Sequence, residues 1–545
     1  LLLGRASGNI SSDSGTFRIT VPANKAFALT FSHLGYRSTQ RNFLLNEHEK
    51  EILTVKMEKG SNELNTVVVT DQRQRREAGL VILNPKNAIN IPSPAGGIES
   101  LIKVVVGSNN ELTSQYTVRG GNYDENLIYV NDFEVFRPYL VRSGQQEGLS
   151  FINPELTRNV NFYNGGFQAR YGDKMSSVLD IQYRKPRSFG GSAYMSLLEQ
   201  GLHFEGASKN GQFTFLTGIR NRSNRNLLSS QETKGNYVPS SADWQTVITW
   251  QLNNRNQLEF LGNISQTKFN LNPQFSQLSS SVFSPYFSAN LGLDIYFGGA
   301  EEDRYRTYMA GLALTQTPRK NLRLKWLLSR FQDNEKESID IVGAYLFGER
   351  EFDKSSPDYG LINNPLGAGL YQTFARNRLN ISVWNLSHKG SWERGLQYWQ
   401  WGLSADRQLI SDRLNEWEYQ DSAGYNVPFN PDRLELNKVL KSAASLQVNR
   451  LSGYLQNNFR FSDSSDLTFQ AGLRMNYNTL NQEFFITPRL GWAWKPRNWQ
   501  KDVVLRGAAG FYYQPPFYRE LRRYNGTVNT ALLSQKSIQV VGGVD

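Results

Sequence analysis

From about residue 190 to its end the chain keeps a period of two. Leu467, Phe469, Ala471, Leu473, Met475 and Tyr477 alternate with Thr468, Gln470, Gly472, Arg474 and Asn476. Leu258, Phe260, Gly262 and Ile264 alternate with Gln257, Glu259, Asn263 and Ser265, and Leu261 breaks the rule. Leu322, Leu324, Trp326 and Leu328 alternate with Arg323, Lys325 and Ser329, with Leu327 as a second exception. Such alternation predicts strands with one apolar and one polar face. About 14 to 16 strand candidates can be counted, each of about nine to twelve residues. Tight polar turns at 253–256 and 463–466 alternate with long loops at 270–286, 333–371 and 412–439.

The first third reads differently. The breaker Pro-Ser-Pro-Ala-Gly-Gly ends at Gly97 and predicts a short helix over 98–105. Strands at 116–119 and 126–130 flank a Gly-Gly-Asn-Tyr-Asp-Glu-Asn reversal, in which Gly120 and Gly121 allow backbone angles that other residues resist. Residues 1–60 predict short strands at 16–21, 27–32 and 52–57, with turns at 13–15 and 22–24.

A soluble sandwich would show the same period, so alternation alone does not choose between sandwich and membrane barrel. Three features favour the barrel: strand candidates long enough to cross a bilayer at a tilt, aromatic pairs at strand ends, and alternately short and long connections. The pairs are Trp244/Trp250, Trp399/Trp401 and Trp492/Trp494, in a chain that is 12% aromatic. Mean hydropathy is negative, and no apolar run approaches the ~18 residues of a membrane helix. A barrel escapes that test, because only every second residue faces lipid. The 545 residues include no cysteine, which excludes disulfides and thiolate-bound metal. The net charge of +11 is spread singly, apart from Arg73, Arg75 and Arg76. That suits solvated loops and a polar lumen better than a dedicated anion site.

The segment from Val118 to Pro186 carries a resemblance. Its motifs are Arg119, Gly120 and Gly121, then Asn131 and Asp132, then Gly165 and Gly166, then Tyr171 and Gly172. Followed by the alternating region, it resembles a TonB-dependent outer-membrane transporter, in which a plug precedes the barrel that encloses it. The family usually has Leu-Pro-Gly-Val after the helix, where Val104 to Gly107 here read Val-Val-Val-Gly. Just upstream, Glu63, Leu64, Val67, Val68, Val69 and Thr70 resemble the TonB box, a segment able to add itself as a strand to a partner's sheet edge. The other reading of that run is the last strand of the amino-terminal unit. Gly15, Phe17, Phe31 and Tyr36, with Asp13, Pro22 and Gly35, resemble the carboxypeptidase-like regulatory domain, a small β-sandwich that precedes the plug in transporters of the Bacteroidetes type.

The resemblance implies an all-β architecture: a transmembrane antiparallel barrel of about 22 strands, incomplete here, with an internal α+β plug and a partial amino-terminal sandwich. The expected domains are 1–60 (sandwich), 61–70 (TonB-box-like), 71–186 (plug) and 187–545 (barrel). The first residues lack the pattern of a signal peptide, and 537–545 read as a strand entered but unfinished, so truncation at both ends is expected.

The resemblance further implies energy-coupled uptake of a scarce nutrient, of siderophore, oligosaccharide or peptide type, across the outer membrane of a Gram-negative bacterium. The partners implied are a TonB-type periplasmic protein, outer-membrane lipid and lipopolysaccharide, the cargo and a surface lipoprotein, with no nucleic acid. Among the plug motifs Arg119 is expected to latch plug to wall, because a buried arginine demands a carboxylate; a salt bridge within the plug is the other reading. No enzyme is expected, since P-loop, zinc-protease, nucleophile-elbow and dinucleotide fingerprints are absent. His48 and Glu51 have a metal-ligand spacing, yet the other histidines (His33, His203, His388) lie in unrelated segments, so neither metal nor cofactor is expected. Glu301, Glu302 and Asp303 read as a hydrated acidic loop, and Asp463 and Asp466 as turn residues. The rival class is a surface carbohydrate-binding or adhesive protein built of sandwich domains; an ungated porin is a second.

Overall fold

The computed structural model describes residues 79–90, 97–106, 115–138, 150–223, 235–284, 287–421, 436–461, 467–496 and 503–544. Within 9–57 it describes all but 10, 13–14, 22, 25–26, 34–35, 37–38 and 44. Two compact units result, 1–75 and 76–545.

In the first unit β1 (Phe27–Phe31) pairs antiparallel with β2 (Thr39–Phe43). Phe27 stacks on Phe43 with ring centroids 5.6 Å apart, and Phe17 leans on Phe31 at 5.4 Å. The expected strands at 16–21 and 52–57 do not form ladders among the described residues. Thr-Gln-Arg-Asn-Phe lacks an alternating pattern and becomes β2 because β1 supplies its hydrogen-bond partners.

The second unit begins with a five-stranded sheet. Its members are β3 (Leu80–Leu83), β4 (Asn126–Val130), β5 (Phe133–Glu134), β6 (Thr157–Tyr163) and β7 (Ser177–Tyr183), in the order β3-β6-β7-β4-β5. β4 and β7 run parallel, and every residue of β4 is buried, as its unbroken apolar centre requires. Helix α1 (Gly97–Val106) matches the expected 98–105; Ile98, Leu101 and Ile102 form its apolar stripe, and every residue from Ile98 to Lys103 is buried. Residues 116–118 form no ladder; the Asn126 side chain takes the Tyr116 carbonyl at 2.8 Å instead.

Fifteen further strands make one antiparallel sheet. It opens with β8 (Gly190–Met195), β9 (Glu199–Ala207), β10 (Phe213–Ser223), β11 (Gly235–Asn253) and β12 (Asn256–Pro273). It continues with β13 (Ser276–Ser284), β14 (Phe287–Arg319), β15 (Leu322–Arg350), β16 (Ile362–Arg394) and β17 (Gln397–Asp421). It ends with β18 (Leu436–Arg460), β19 (Leu467–Asn478), β20 (Glu483–Trp494), β21 (Leu505–Gln514) and β22 (Gln535–Val544). Neighbours in sequence are neighbours in space, except that β12 pairs β14 while β13 adds to the far part of β14.

This sheet is inside out relative to a soluble protein. On β19, Arg474, Asn476 and Asn478 are buried while Leu473, Met475 and Tyr477 are exposed. On β20, Thr487 and Arg489 are buried while Ile486, Leu490, Trp492 and Trp494 are exposed. An apolar outer belt of this extent in water would be a large unfavourable patch; in lipid it is the favoured face.

The strands are far longer than the sequence suggested. β14 and β16 have 33 residues each and β15 has 29, roughly 100 Å of extended chain against a hydrocarbon core of ~30 Å. On β15 the outward side chains change from Trp326 and Leu328 to Arg330, Gln332, Asn334 and Lys336. The expected loop at 333–371 is therefore mostly ladder, with only 351–361 connecting β15 to β16. Outside lipid a strand needs no apolar face, so composition alone reads it as loop. Glu301, Glu302 and Asp303 likewise lie on β14, opposite Ile339, Ser338 and Glu337. Residues 463–466 lie outside the described residues.

Candidate functional site

The plug sheet sits within the curve of the large sheet and is held by three groups of contacts. The first is the β4–β5 hairpin. Its two-residue loop, Asn131-Asp132, has φ of 51° and 74°. Two successive positive angles match the tight turn that suits strand twist, and Asn and Asp tolerate them. The Asn131 amide donates to the Ile181 carbonyl at 2.9 Å, and its side chain accepts from the Tyr183 amide at 2.8 Å. The turn thus presents Asp132 to the wall, 2.7 Å from Lys325 of β15 and 3.3 Å from Lys389 of β16. Burial pushes the Asp132 carboxyl up, but those two ammonium groups outweigh it and hold the carboxyl well below its ordinary range. Beyond β5, Arg137 pairs with Asp333 at 2.8 Å and with Glu335, both on β15.

The second group is the 164–175 loop. Gly166, at φ 63°, donates its amide to Gln539 of β22 at 3.0 Å. Arg489 of β20 donates to the carbonyls of Gln168 and Tyr171, each at 2.8 Å, while its guanidinium lies 4.2 Å from the Tyr512 ring centroid. Tyr512 donates to the Phe167 carbonyl at 3.0 Å. Asp173 pairs with Arg474 of β19 at 3.2 Å. A Cβ at Gly172 would lie 2.4 Å from the Arg474 guanidinium, so the glycine is what admits that arginine. The Tyr171 hydroxyl donates to Asp180 at 2.7 Å, inside the plug.

The third group lies at the other end of the large sheet. Arg220 of β10 donates to the carbonyls of Ser150 and Ile152 at 2.8 Å each, and to Asp243 of β11 at 2.9 Å. The Tyr183 hydroxyl donates to Gln245 at 2.6 Å. Under this cluster Glu99 of α1 is completely buried, with the Ser150 hydroxyl donating to it. Burial dominates and pushes its carboxyl up to about 7. Contacts with β10 and β11, with β15 and β16, and with β18 to β22 hold the plug against the inner face of the large sheet.

Charges are only part of the fit. One apolar core joins Ile98, Ile128, Val130, Phe133 and Ile181 of the plug to Leu216, Leu261, Met309, Leu327 and Phe331 of the wall. Leu261 and Leu327, the exceptions in the alternation, are inward-facing wall residues that meet the plug.

Between plug and wall lies a chamber of ≈ 340 Å³, bounded by residues of the 122–138 segment, by β15 to β19 and by 515–520. Glu134 projects into it, open to water yet ringed by protein. Burial, then the neighbouring Asp406 and Asp173 carboxylates, push it up to about 7. Lys174 is brought down to about 8, chiefly by burial; it lies 3.9 Å above the Phe517 ring.

The plug motifs read from sequence are spread over this interface. Gly120 (φ 80°) and Gly121 make a turn braced by Ser176 and Glu125. Gly165, Gly166, Tyr171 and Gly172 belong to the wall-contacting loop, and Asn131 and Asp132 to the hairpin. Arg119, at φ 52°, is exposed and makes no ion pair among the described residues. The charged pairs between plug and wall come from Asp132, Arg137 and Asp173 instead. Glu63, Leu64, Val67, Val68, Val69 and Thr70 lie outside the described residues. His48 and Glu51 are exposed, and no group of three His, Asp or Glu suited to a metal occurs among the described residues.

Lys325, Lys389, Asp333, Glu335, Arg474, Arg489 and Arg220 were not singled out from sequence as site residues. Each sits at a strand position facing the bore, and a polar lumen in water would look the same.

Comparison with known proteins agrees with this geometry. Residues 89–177 match the family model for the TonB-dependent receptor plug domain. No curated protein sequence matches the chain. Among solved structures, a variant of the ferric enterobactin receptor of Pseudomonas aeruginosa is similar with a TM-score of 0.55 at 12% identity, over 87% of this chain and 69% of that one. The ferric preacinetobactin receptor of Acinetobacter baumannii gives 0.51 at 12%, over 86% and 68%. The RagAB peptide importer gives 0.51 at 9%, over 86% and 65%. At these identities the likeness is one of fold: a plugged outer-membrane barrel.

Proposed function

We propose that this chain, which carries the plug domain of the TonB-dependent receptors within a wall of their fold, takes up a scarce nutrient across the outer membrane by energy-coupled transport. One observation supports the reading above all others: the plug lies against the inner face of a sheet whose outer face is apolar, and it is tied to wall strands from β10 to β22. Cargo cannot pass until those contacts are rearranged, and such work calls for an external pull. The chain reaches the plug at Leu80, whose carbonyl accepts from Arg506 at 3.4 Å near the start of β21. The short connections 254–255, 320–321 and 395–396 lie at this end of the sheet. Residues 63–70 precede that point by a few residues. We take them as the segment that pairs with a TonB-type periplasmic protein by strand addition.

Cargo class is carried over from the similar structures, which are ferric-siderophore receptors and a peptide importer; an oligosaccharide remains within the proposal. Lipopolysaccharide and a surface lipoprotein are proposed partners of the outer rim, and 1–60 a partial carboxypeptidase-like regulatory domain. A sandwich adhesin fits poorly, since its strands would bury their apolar faces and these expose them.

Deleting 63–70 tests the reading. Cells carrying the deletion should bind cargo at the surface as before and accumulate none. Accumulation at the parental rate would overturn it.

A further inference from the structure

We propose that the β21–β22 connection, residues 515–534, is a strap folded across the bore that competes with the plug for one wall carboxylate, so that strap and plug are interlocked. The strap carries the short helix α2 (Tyr518–Leu521), and Tyr518 and Leu521 are buried. It leaves β21 and reaches β17 and β15, four and six strands away in the sheet. The Tyr518 hydroxyl donates to Asp412 of β17 at 2.8 Å, and Arg522 pairs with the same carboxylate at 3.2 Å. Arg519 pairs with Glu335 of β15 at 2.6 Å and Glu337 at 3.5 Å. Residues 515–520 bound the chamber on one side and the plug bounds it on the other.

Glu335 is where the two parts meet. Asp333 and Glu335 are two residues apart on β15 and so face the same way, and their side chains are 0% and 2% exposed. Asp333 is taken up by Arg137 of the plug and by the Thr307 hydroxyl at 3.0 Å. Glu335 is divided between Arg137 of the plug and Arg519 of the strap. Two guanidinium groups on one carboxylate repel each other and split its charge, so each holds less firmly than it would alone. Linkage makes this reciprocal. A docked strap weakens the plug's hold on β15, and a raised strap returns Glu335 wholly to Arg137 and tightens it. With the bore open from above the plug is at its firmest; with the strap down it is readiest to move.

Hydrogen exchange on the purified protein in detergent reads both sides. The strap is followed through the amides of Leu521 and Asn529, which donate to Phe517 and Leu521 carbonyls. The hairpin is followed through Asn131 and Val135, which donate to Ile181 and Ile128 carbonyls. In Arg519→Gln the hairpin amides should exchange about fivefold more slowly, and in Arg137→Gln the strap amides should slow by a similar factor. Arg519→Lys keeps the charge and should exchange as the parent does. Arg522→Gln weakens only the Asp412 anchor, so strap exchange should rise while hairpin exchange falls. Hairpin amides that exchange as fast as the parent's, or faster, in both Arg519→Gln and Arg522→Gln would overturn the interlock. No cargo or energy source enters this experiment, so its failure would leave the uptake reading standing.

Discussion

Glu99 is a residue at which protonation and plug stability are joined. It is fully buried, accepts from Ser150, and titrates near 7 where an ordinary glutamate titrates near 4.5. Burial favours the neutral acid, and Arg220 and Lys103 only partly offset it. The folded chain therefore holds this proton more tightly than the unfolded chain does. That contribution to stability is fully present below about pH 4.5 and is lost as pH rises through about 7. Glu99→Gln keeps the shape and removes the titration. Protection of α1 and 150–152 against exchange should fall between about pH 4.5 and 7 in the parent and stay level in the variant. At pH 8 the variant should be the more stable by up to about 3 kcal/mol. Equal pH dependence in both proteins would mean that another group carries it.

At the level of elements, the wall strands carry two codes at once. Outward positions within the belt must be apolar for lipid, and inward positions must suit either water or the plug. Leu327 and Leu490 separate the two. Leu327 is 1% exposed and packs in the joint plug–wall core, so Leu327→Ala should cost about 2–5 kcal/mol in a urea titration followed at the plug. Leu490 is 58% exposed in the outer belt, and Leu490→Arg should be destabilising by up to about 2–4 kcal/mol, less the nearer it lies to the interface, seen only in lipid and not in urea-solubilised chain. A plug transition unmoved by Leu327→Ala would remove that leucine from the joint core. The same two codes decide what could be read without coordinates. The belt was legible, because a lipid face forces alternation over the nine or so residues that cross it. Helix α1, β4 and the motif loops were legible through glycine, asparagine and apolar spacing. The outer halves of β14, β15 and β16 were not, since a ladder in water constrains neither face. The wall charges were invisible as a site: Lys325 and Arg474 occupy the polar phase of the alternation whether they meet solvent or the plug. Arg119 was chosen by motif, yet the hairpin puts Asp132 and Arg137 against β15, a pairing that depends on register across two sheets.

For the molecule as a whole, the order in which the plug gives way follows from where a pull arrives. The chain leads into the plug through β3, which is an edge strand whose ladder consists of four residue pairs with β6. The strands β6, β7 and β4 lie deeper, and they carry the hairpin and the loop that grip the wall. A force applied from residue 79 upstream should therefore peel β3 from β6 first, while the contacts of Asp132, Arg137 and Asp173 stay closed. Val81 and Phe162 face each other in that ladder, at a spacing a disulfide can bridge with small adjustment. Because the chain has no cysteine, the double variant Val81→Cys, Phe162→Cys would form that bridge alone. Oxidised, it should bind cargo normally and transport little; reduced, it should recover most of the parental rate. A single variant, Val81→Cys, controls for the substitution. Transport by the oxidised form at the parental rate would mean that β3 need not leave β6. The plug would then have to move as one body, breaking the wall contacts of all three groups together.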